Sequence, residues 1–300
     1  MVRVRTFQWQ QKAAPYLFVA PFLIAFALFG LYPLIKSLVL AFYITNGPTS
    51  QRFVGFENFR FLFADPDFHR ALSNTLVYAF FSVFLQLPLA LGLALALNSR
   101  FIRLRNFFRL SFFSPNLVGQ VFVAVLFTVI FLPEFGLLNR VLHWLVQLPR
   151  DTKWLQTPAL VMPALILASL WMYVGFNMIY FLAALQAVDR DLYDAAHVDG
   201  ANAFQRFFHV TLPAIRPVGI FVLVLSTIGS LQLFELPFVL LGQGPGPGNA
   251  GLTVVMYLYI NGFQSGDLGY ASAVGWALAF LILVVSLVQL RVSGTFRTEG

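Results

Sequence analysis

The sequence predicts an all-α, multi-pass membrane protein with six transmembrane helices, and three observations carry that reading. Hydrophobic residues make up 59% of the 300-residue chain and charged residues only 10%, where a soluble domain carries about 25% charged. Apolar runs long enough to cross a hydrocarbon core, about 20 residues each, recur six times. Lys and Arg gather in alternate connections between those runs, as the positive-inside rule expects.

The runs are Tyr16–Phe42, Leu72–Leu97, Leu110–Leu132, Pro158–Leu185, Pro217–Leu241 and Tyr270–Leu290. Several hold proline (Pro21, Pro33, Pro88, Pro115, Pro163 and Pro237), which spanning helices tolerate when neighbours satisfy the freed backbone groups. The runs are continuous rather than alternating ten-residue segments, which argues against a β-barrel. The first is too long for a signal-peptide core and lacks a small-residue cleavage site, so it reads as a retained helix.

With a cytoplasmic N-terminus, the inner segments hold Arg3, Arg5, Lys12, Arg100, Arg103, Arg105, Arg109, Arg190, Arg206, Arg216, Arg291 and Arg297. The outer loops hold Arg52, Arg60, Arg70, Arg140, Arg150 and Lys153. Lys36 lies in the first run and can snorkel to the outer interface. The connection with four arginines and no acid is the sharpest vote for both termini being cytoplasmic. Residues 1–15 then form a cytoplasmic segment, 16–290 one membrane domain, and 291–300 a cytoplasmic tail.

The net charge of +7 belongs to these flanks and does not indicate nucleic acid. There is no cysteine, hence no disulfide framework, thiol nucleophile or cysteine zinc cluster. No phosphate-binding G-x-x-x-x-G-K-[ST] run occurs. Gly246-Pro-Gly248-Asn-Ala-Gly251 matches G-x-G-x-x-G in form only and reads as an outer turn.

The connection between spans four and five, residues 186–216, is long and carries its own helical pattern, as functional loops do. Asp189 or Asp191 can cap a first short helix, with Asp194 three residues after Asp191 as in a capping box. Gly200 can end that helix in the left-handed conformation. A second helix over about Ala201–Val210 places Phe204, Phe207 and Phe208 on one face, and Pro213 is expected to end it. The aromatic stripe fits either the chain's own membrane surface or a groove on a partner.

Asp194-Ala195-Ala196, Asp199-Gly200-Ala201 and Val210-Thr211-Leu212-Pro213 resemble the EAA signature of ABC importer permeases, with the spacing from Gly200 to Pro213 intact and Asp194 in place of Glu. Phe53-Val-Gly-Phe-Glu-Asn-Phe59, Asn74-Thr75-Leu76, Gly136-Leu-Leu-Asn139 and Gly269-Tyr-Ala-Ser-Ala273 are similar to its sugar branch, the maltose and glycerol-3-phosphate permease family. The resemblance implies a MetI-like permease fold in the cell membrane. It implies a second homologous permease, two ATPase subunits that hydrolyse the ATP, and an extracytoplasmic solute-binding protein. It implies no cofactor on this chain and no enzymatic activity. It also implies that Asp194, Ala195, Ala196, Asp199, Gly200, Ala201, Leu212 and Pro213, with the three phenylalanines as added contacts, form a coupling helix seated in an ATPase cleft.

Polar groups inside spans are costly and point to a pathway. Glu235 is the one acid within a span, with Gln232 one turn before it, and Trp171, Tyr173, Asn177 and Tyr180 lie in span four. Aromatic faces with hydrogen-bonding groups suit a sugar, so Tyr173, Asn177, Gln232 and Glu235 are the candidate route residues. The alternative is that they tie helices together. A secondary transporter or channel is the competing function. A membrane enzyme with metal on Asp189, Asp191, Asp194, His197 and Asp199 lacks the remaining ligands of a shell.

Overall fold

A computed structural model describes residues 2–47, 50–99 and 102–294, with side chains from Ala14 onward. Arg100 and Arg297 of the charge count lie outside the described residues, as do residues 295–300 of the expected tail and the side chains of Arg3, Arg5 and Lys12. Among the described residues, five helices are long and apolar enough to span a membrane, or six if a helix pair bent by 102° counts as one span. The described residues group into two compact units, one within Met1–Ala64 and Leu258–Ala277, the other within Asp65–Tyr257 and Leu278–Gly300.

In the first unit, α1 (Val2–Phe26) and α2 (Tyr32–Leu40) are joined by a π turn over Ala27–Leu31, giving one span, Ala14–Leu40. A short antiparallel hairpin follows, β1 (Tyr43–Asn46) with β2 (Ser50–Phe53), in register Tyr43↔Phe53. It is an addition to the helical fold that the apolar runs did not signal. α3 (Glu57–Ala64) comes next, and Asn58 Nδ2 donates to the Ala41 and Tyr43 carbonyls, both at 2.9 Å. α14 (Leu268–Val292) is the last span. A Cβ on its Gly269 would run into the Tyr43 carbonyl, while Asp267 accepts from the Thr45 amide at 3.2 Å. Two of the family-like strings, Phe53–Phe59 and Gly269–Ala273, are therefore packing keys of this unit.

The second unit is built on α4 (Pro66–Asn98) and α8 (Pro158–Ala187). Asp65 caps α4, accepting from the Asp67 amide at 2.8 Å, with Pro66 in the first turn where its missing N–H costs nothing. Ala90 and Ala94 of α4 are fully buried with Met178, Phe181 and Leu182 of α8 and with Ile215 and Val222. Small residues at such contacts let helices approach where lipid offers no hydrophobic drive to associate. Asn74 donates to the Asn249 and Leu252 carbonyls at 2.8 and 3.0 Å, and Thr75 Oγ1 accepts from the Val254 amide at 3.0 Å. The Asn74–Leu76 string thus fastens the segment before α13 (Val254–Tyr259).

The third run is not the continuous helix Leu110–Leu132 that its hydropathy suggests. α5 (Arg105–Val118) and α6 (Gln120–Ile130) meet at 102°. The bend sits on Gly119, whose φ of 86° and ψ of 153° lie in a region essentially reserved for glycine. The fifth run departs likewise. α11 (Leu212–Leu231) ends at Gln232, and a separate α12 (Glu235–Leu240) follows. Phe234 at φ −142° and ψ −59° breaks the helix. The freed Leu233 carbonyl accepts from the buried Thr253 hydroxyl at 2.8 Å. Irregular backbone survives at membrane depth only when it is satisfied in this way or lines a cavity.

Candidate functional site

The connection after α8 folds as a helical hairpin. Asp189 caps α9 (Arg190–Val198), accepting from the Asp191 amide at 3.0 Å. The capping box expected at Asp191 and Asp194 is instead made one helix later. Asn202 Oδ1 accepts from the Gln205 amide at 2.9 Å, and Gln205 Oε1 accepts from the Asn202 amide at 2.8 Å. The reason is register: Asp191 already lies inside the first turn of α9, so its side chain cannot be the cap. Gly200 has φ +76°, as expected. The Ala201 amide donates to Ala196 O at 2.9 Å and the Gly200 amide to His197 O at 3.1 Å, the paired bonds of a Schellman stop.

Pro213 does not end the second helix. α10 (Ala203–Arg206), a π turn over Phe207–Thr211 and α11 run as one helix, the span Ala203–Leu231 of 29 residues. A proline removes one helical hydrogen bond and its ring crowds the carbonyl four residues back. The wider π turn just before Pro213 relieves that crowding without breaking the axis. The same arrangement, a π turn ending two residues before a proline, occurs at Ala27–Leu31 and Pro33. The hydroxyls of Tyr193 and Thr211 are 3.0 Å apart and clip α9 to this turn.

The structure brings the hairpin's signature residues to one end of the unit. Asp194, Ala195, Asp199, Gly200 and Pro213 are exposed, and Ala196 and Ala201 are half-buried. Phe204 is 72% exposed and Phe208 44%. Their ring centroids are 4.5 Å apart, and Phe207, half-buried, meets Phe208 edge-on at 5.0 Å. Leu212, 37% exposed, extends the apolar surface onto α11. A solvated loop has no use for two contacting, outward phenylalanines held on a capped scaffold.

At the far end of the same rod lies a polar cavity of about 260 Å³. Its lining includes Tyr173 and Asn177 of α8, Gln232 at the end of α11, and four polar residues that the hydropathy reading passed over: Gln86, Gln120, Ser226 and Ser230. Gln120, beside the Gly119 bend, donates to the Tyr173 hydroxyl at 2.6 Å. Asn177 donates to Ser226 Oγ at 3.1 Å, so it both faces the cavity and ties α8 to α11. Glu235 is not one turn beyond Gln232 within a span, because the helix is broken between them. It opens α12 and borders an adjoining cavity shared with Gln120 and Gln232. Trp171 and Tyr180 pack elsewhere, against Phe127 and against Phe176 and Phe221. The signal for the missed residues was present in principle, as isolated amides and hydroxyls inside apolar runs. The bend that aims Gln120 at Tyr173 was not.

Apolar helices of membrane-spanning length, a cavity lined by amides and hydroxyls, and a capped exposed hairpin fit a membrane transport component. Residues 67–295 match the family described as binding-protein-dependent transport system inner membrane component. Over 294 residues the chain is 42% identical to the arabinooligosaccharides transport system permease protein AraP of Bacillus subtilis (strain 168), covering 97% of this chain and 92% of that protein. It is 32% identical to the trehalose/maltose transport system permease protein MalF of Thermococcus litoralis, covering 97% of each. The fold matches a chain in the crystal structure of a bacterial ABC transporter involved in the import of the acidic polysaccharide alginate. The TM-score is 0.85 and the identity 28%, over 98% of this chain and all of that one. The chain belongs to the family of binding-protein-dependent transport system inner membrane components, and is a permease subunit of an ABC importer rather than an enzyme.

Proposed function

We propose that this permease carries a saccharide through the Gln120–Tyr173–Asn177–Gln232 cavity, and that the Asp189–Pro213 hairpin receives the driving motion from a cytoplasmic ATPase. The observation that carries the proposal is mechanical. One unbroken helix starts in the hairpin at Ala203 and stops at Leu231, beside Gln232 on the cavity. Its 29 residues span about 43 Å at 1.5 Å per residue. A push on the phenylalanine-faced end is therefore carried to the cavity wall along one continuous helix.

The hairpin end is then cytoplasmic, as are both termini. A second, homologous permease completes the pathway, two ATPase subunits bind the ATP, and a solute-binding protein presents the sugar from the opposite side. Support for the binding protein comes from a similar chain, TM-score 0.85 and 27% identical, in the crystal structure of the alginate transporter in complex with an alginate pentasaccharide-bound periplasmic protein. Support for a saccharide comes from the relatives' transport of arabinooligosaccharides, lactose and trehalose or maltose. Amides, hydroxyls and aromatic faces in one cavity match a sugar's hydroxyls and apolar ring patches. ATP can move the hairpins only by binding the two arrangements with different affinity.

Gly200→Val tests the coupling. Valine in the left-handed region costs on the order of 1–2 kcal/mol, and it unseats the Schellman stop that orients α9. In proteoliposomes of the complete importer, uptake should fall at least about tenfold while ATP hydrolysis per complex persists, a ratio corresponding to about 1.4 kcal/mol of lost coupling. Uptake and hydrolysis both unchanged would count against the hairpin as the coupling element.

A further inference from the structure

A second organised surface lies at the other end of α8 from the hairpin, in the connection between α6 and α8. α7 (Leu137–Val146) turns outward Leu137, Arg140, Val141, Trp144 and Leu145. These are i, i+3, i+4, i+7 and i+8, a single stripe of a helix. Trp144 is 82% exposed, Leu137 61% and Leu145 60%.

The opposite face is fixed. Asn139 is fully buried. Its Nδ2 donates to the Thr152 carbonyl at 2.9 Å, and its Oδ1 accepts from Trp154 Nε1 at 2.6 Å. His143 Nδ1 lies 2.9 Å from the Leu148 carbonyl, and Leu138 packs against the core. The stripe is therefore presented by a held helix, not by a loose loop that happens to expose it. The helix also cannot stand far from the end of α6. The Gly136 amide donates to Leu132 O at 2.9 Å, and a Cβ at Gly136 would collide with the Ile130 and Leu132 carbonyls.

What covers the stripe follows from what it continues. α6 exposes Val125 and Val129, and the turn after it exposes Leu132 and Phe135. The α7 stripe follows that exposed apolar surface across the tight turn at Gly136, at the end of the bent α5–α6 pair, with one cation and one indole on it. Hydrocarbon gives way to headgroups at that depth, and Trp is enriched there because its ring is apolar at one end and hydrogen-bonding at the other. Arg can keep its guanidinium at the phosphates while its stem stays in apolar surroundings.

We propose that α7 is an interfacial membrane helix. Trp144, Leu145, Val141 and Leu137 enter the headgroup–acyl boundary of the leaflet facing away from the hairpin, and Arg140 engages lipid phosphate. The loop would thus anchor the bent α5–α6 pair and its Gln120 against the lipid, and hold that side of the cavity while α11 moves.

The test uses the complete importer in phosphatidylglycerol–phosphatidylcholine vesicles whose acyl chains are brominated near the glycerol. The fluorescence difference between wild type and Trp144→Phe isolates Trp144 from every other indole. Interfacial insertion to about 5–10 Å should quench that difference roughly twofold or more relative to unbrominated lipid. The chain's lack of cysteine permits a single spin label at Leu145→Cys. It should relax more strongly with oxygen than with a water-soluble nickel chelate. An unquenched Trp144 with a nickel-accessible label means the stripe faces water and overturns the proposal. An unquenched Trp144 with a label shielded from both reagents means a protein partner covers it and also overturns the proposal.

Discussion

Gly175 shows how closely single atoms set this fold. A Cβ there would enter the Phe112 carbonyl of α5 and crowd the Phe113 nitrogen, backbone that cannot swing aside. Gly175→Ala should therefore force α5 off α8 at a cost of about 1–3 kcal/mol for overpacking, read as a lower midpoint of thermal unfolding in detergent. Asn139 makes the converse case. Asn139→Ala leaves Trp154 Nε1 and the Thr152 carbonyl without their partner, a loss of about 1–3 kcal/mol. The same measurement checks it, and Asn139→Asp should do no better, since a buried carboxylate would face the Leu132 and Thr152 carbonyls. Asn139 lies outside the cavity lining, so in Asn139→Ala hydrolysis per folded complex should stay near wild type. The short family-like strings gain a physical meaning at this scale. Asn58, Asn74, Thr75, Asn139 and Gly269 each lock one segment to another.

The elements that depart from a straight-helix reading are the ones that build the cavity. Gly119 bends the α5–α6 pair and aims Gln120 at Tyr173. Gly119→Ala would place a side chain in a glycine-only conformation at about 1–3 kcal/mol. Straightening the pair withdraws Gln120. Sugar uptake should drop several-fold, whereas capture of the ATPase by the hairpin should be unaffected. The clip between Tyr193 and Thr211 belongs to the hairpin. Tyr193→Phe removes a bond worth about 0.5–1.5 kcal/mol and should raise the ATP consumed per sugar carried, with a smaller effect than Gly200→Val. Periodicity and hydropathy made the six spans, the left-handed stop at Gly200 and the aromatic hairpin legible. They could not show that Pro213 rides inside a continuous helix, because a proline reads as a stop unless the π turn before it is known. Nor could they show the breaks at Gly119 and at Phe234, since a bend costs no hydropathy. For the same reason Gln232 and Glu235 looked like neighbours on one face, when the chain changes direction between them.

At the scale of the whole chain, the proposed function rests on one continuous helix, Ala203–Leu231, that joins the exposed hairpin to the cavity. The exposed Phe204 and Phe208 lie on its first turns, and Gln232 follows its last. In the function proposed above that continuity matters, because motion absorbed in a flexible joint would never reach the cavity. It also assigns the breaks a purpose. On that reading α11 stops where the route begins, and the bent pair, through Gln120, contributes another wall of the same cavity. The absence of cysteine makes this testable with pairs of labels on the otherwise native chain.

The most direct test is the distance between spin labels at Ala203→Cys, the exposed first residue of the rod, and Gln232→Cys on the cavity, measured in the complete importer without nucleotide and with ATP trapped. The account predicts one narrow distribution in both states, while a thiol reagent reaches Gln232→Cys from opposite sides of the membrane. A shift of one helical turn, about 5 Å, or more between the two states would mean that the rod gives way, and would contradict it.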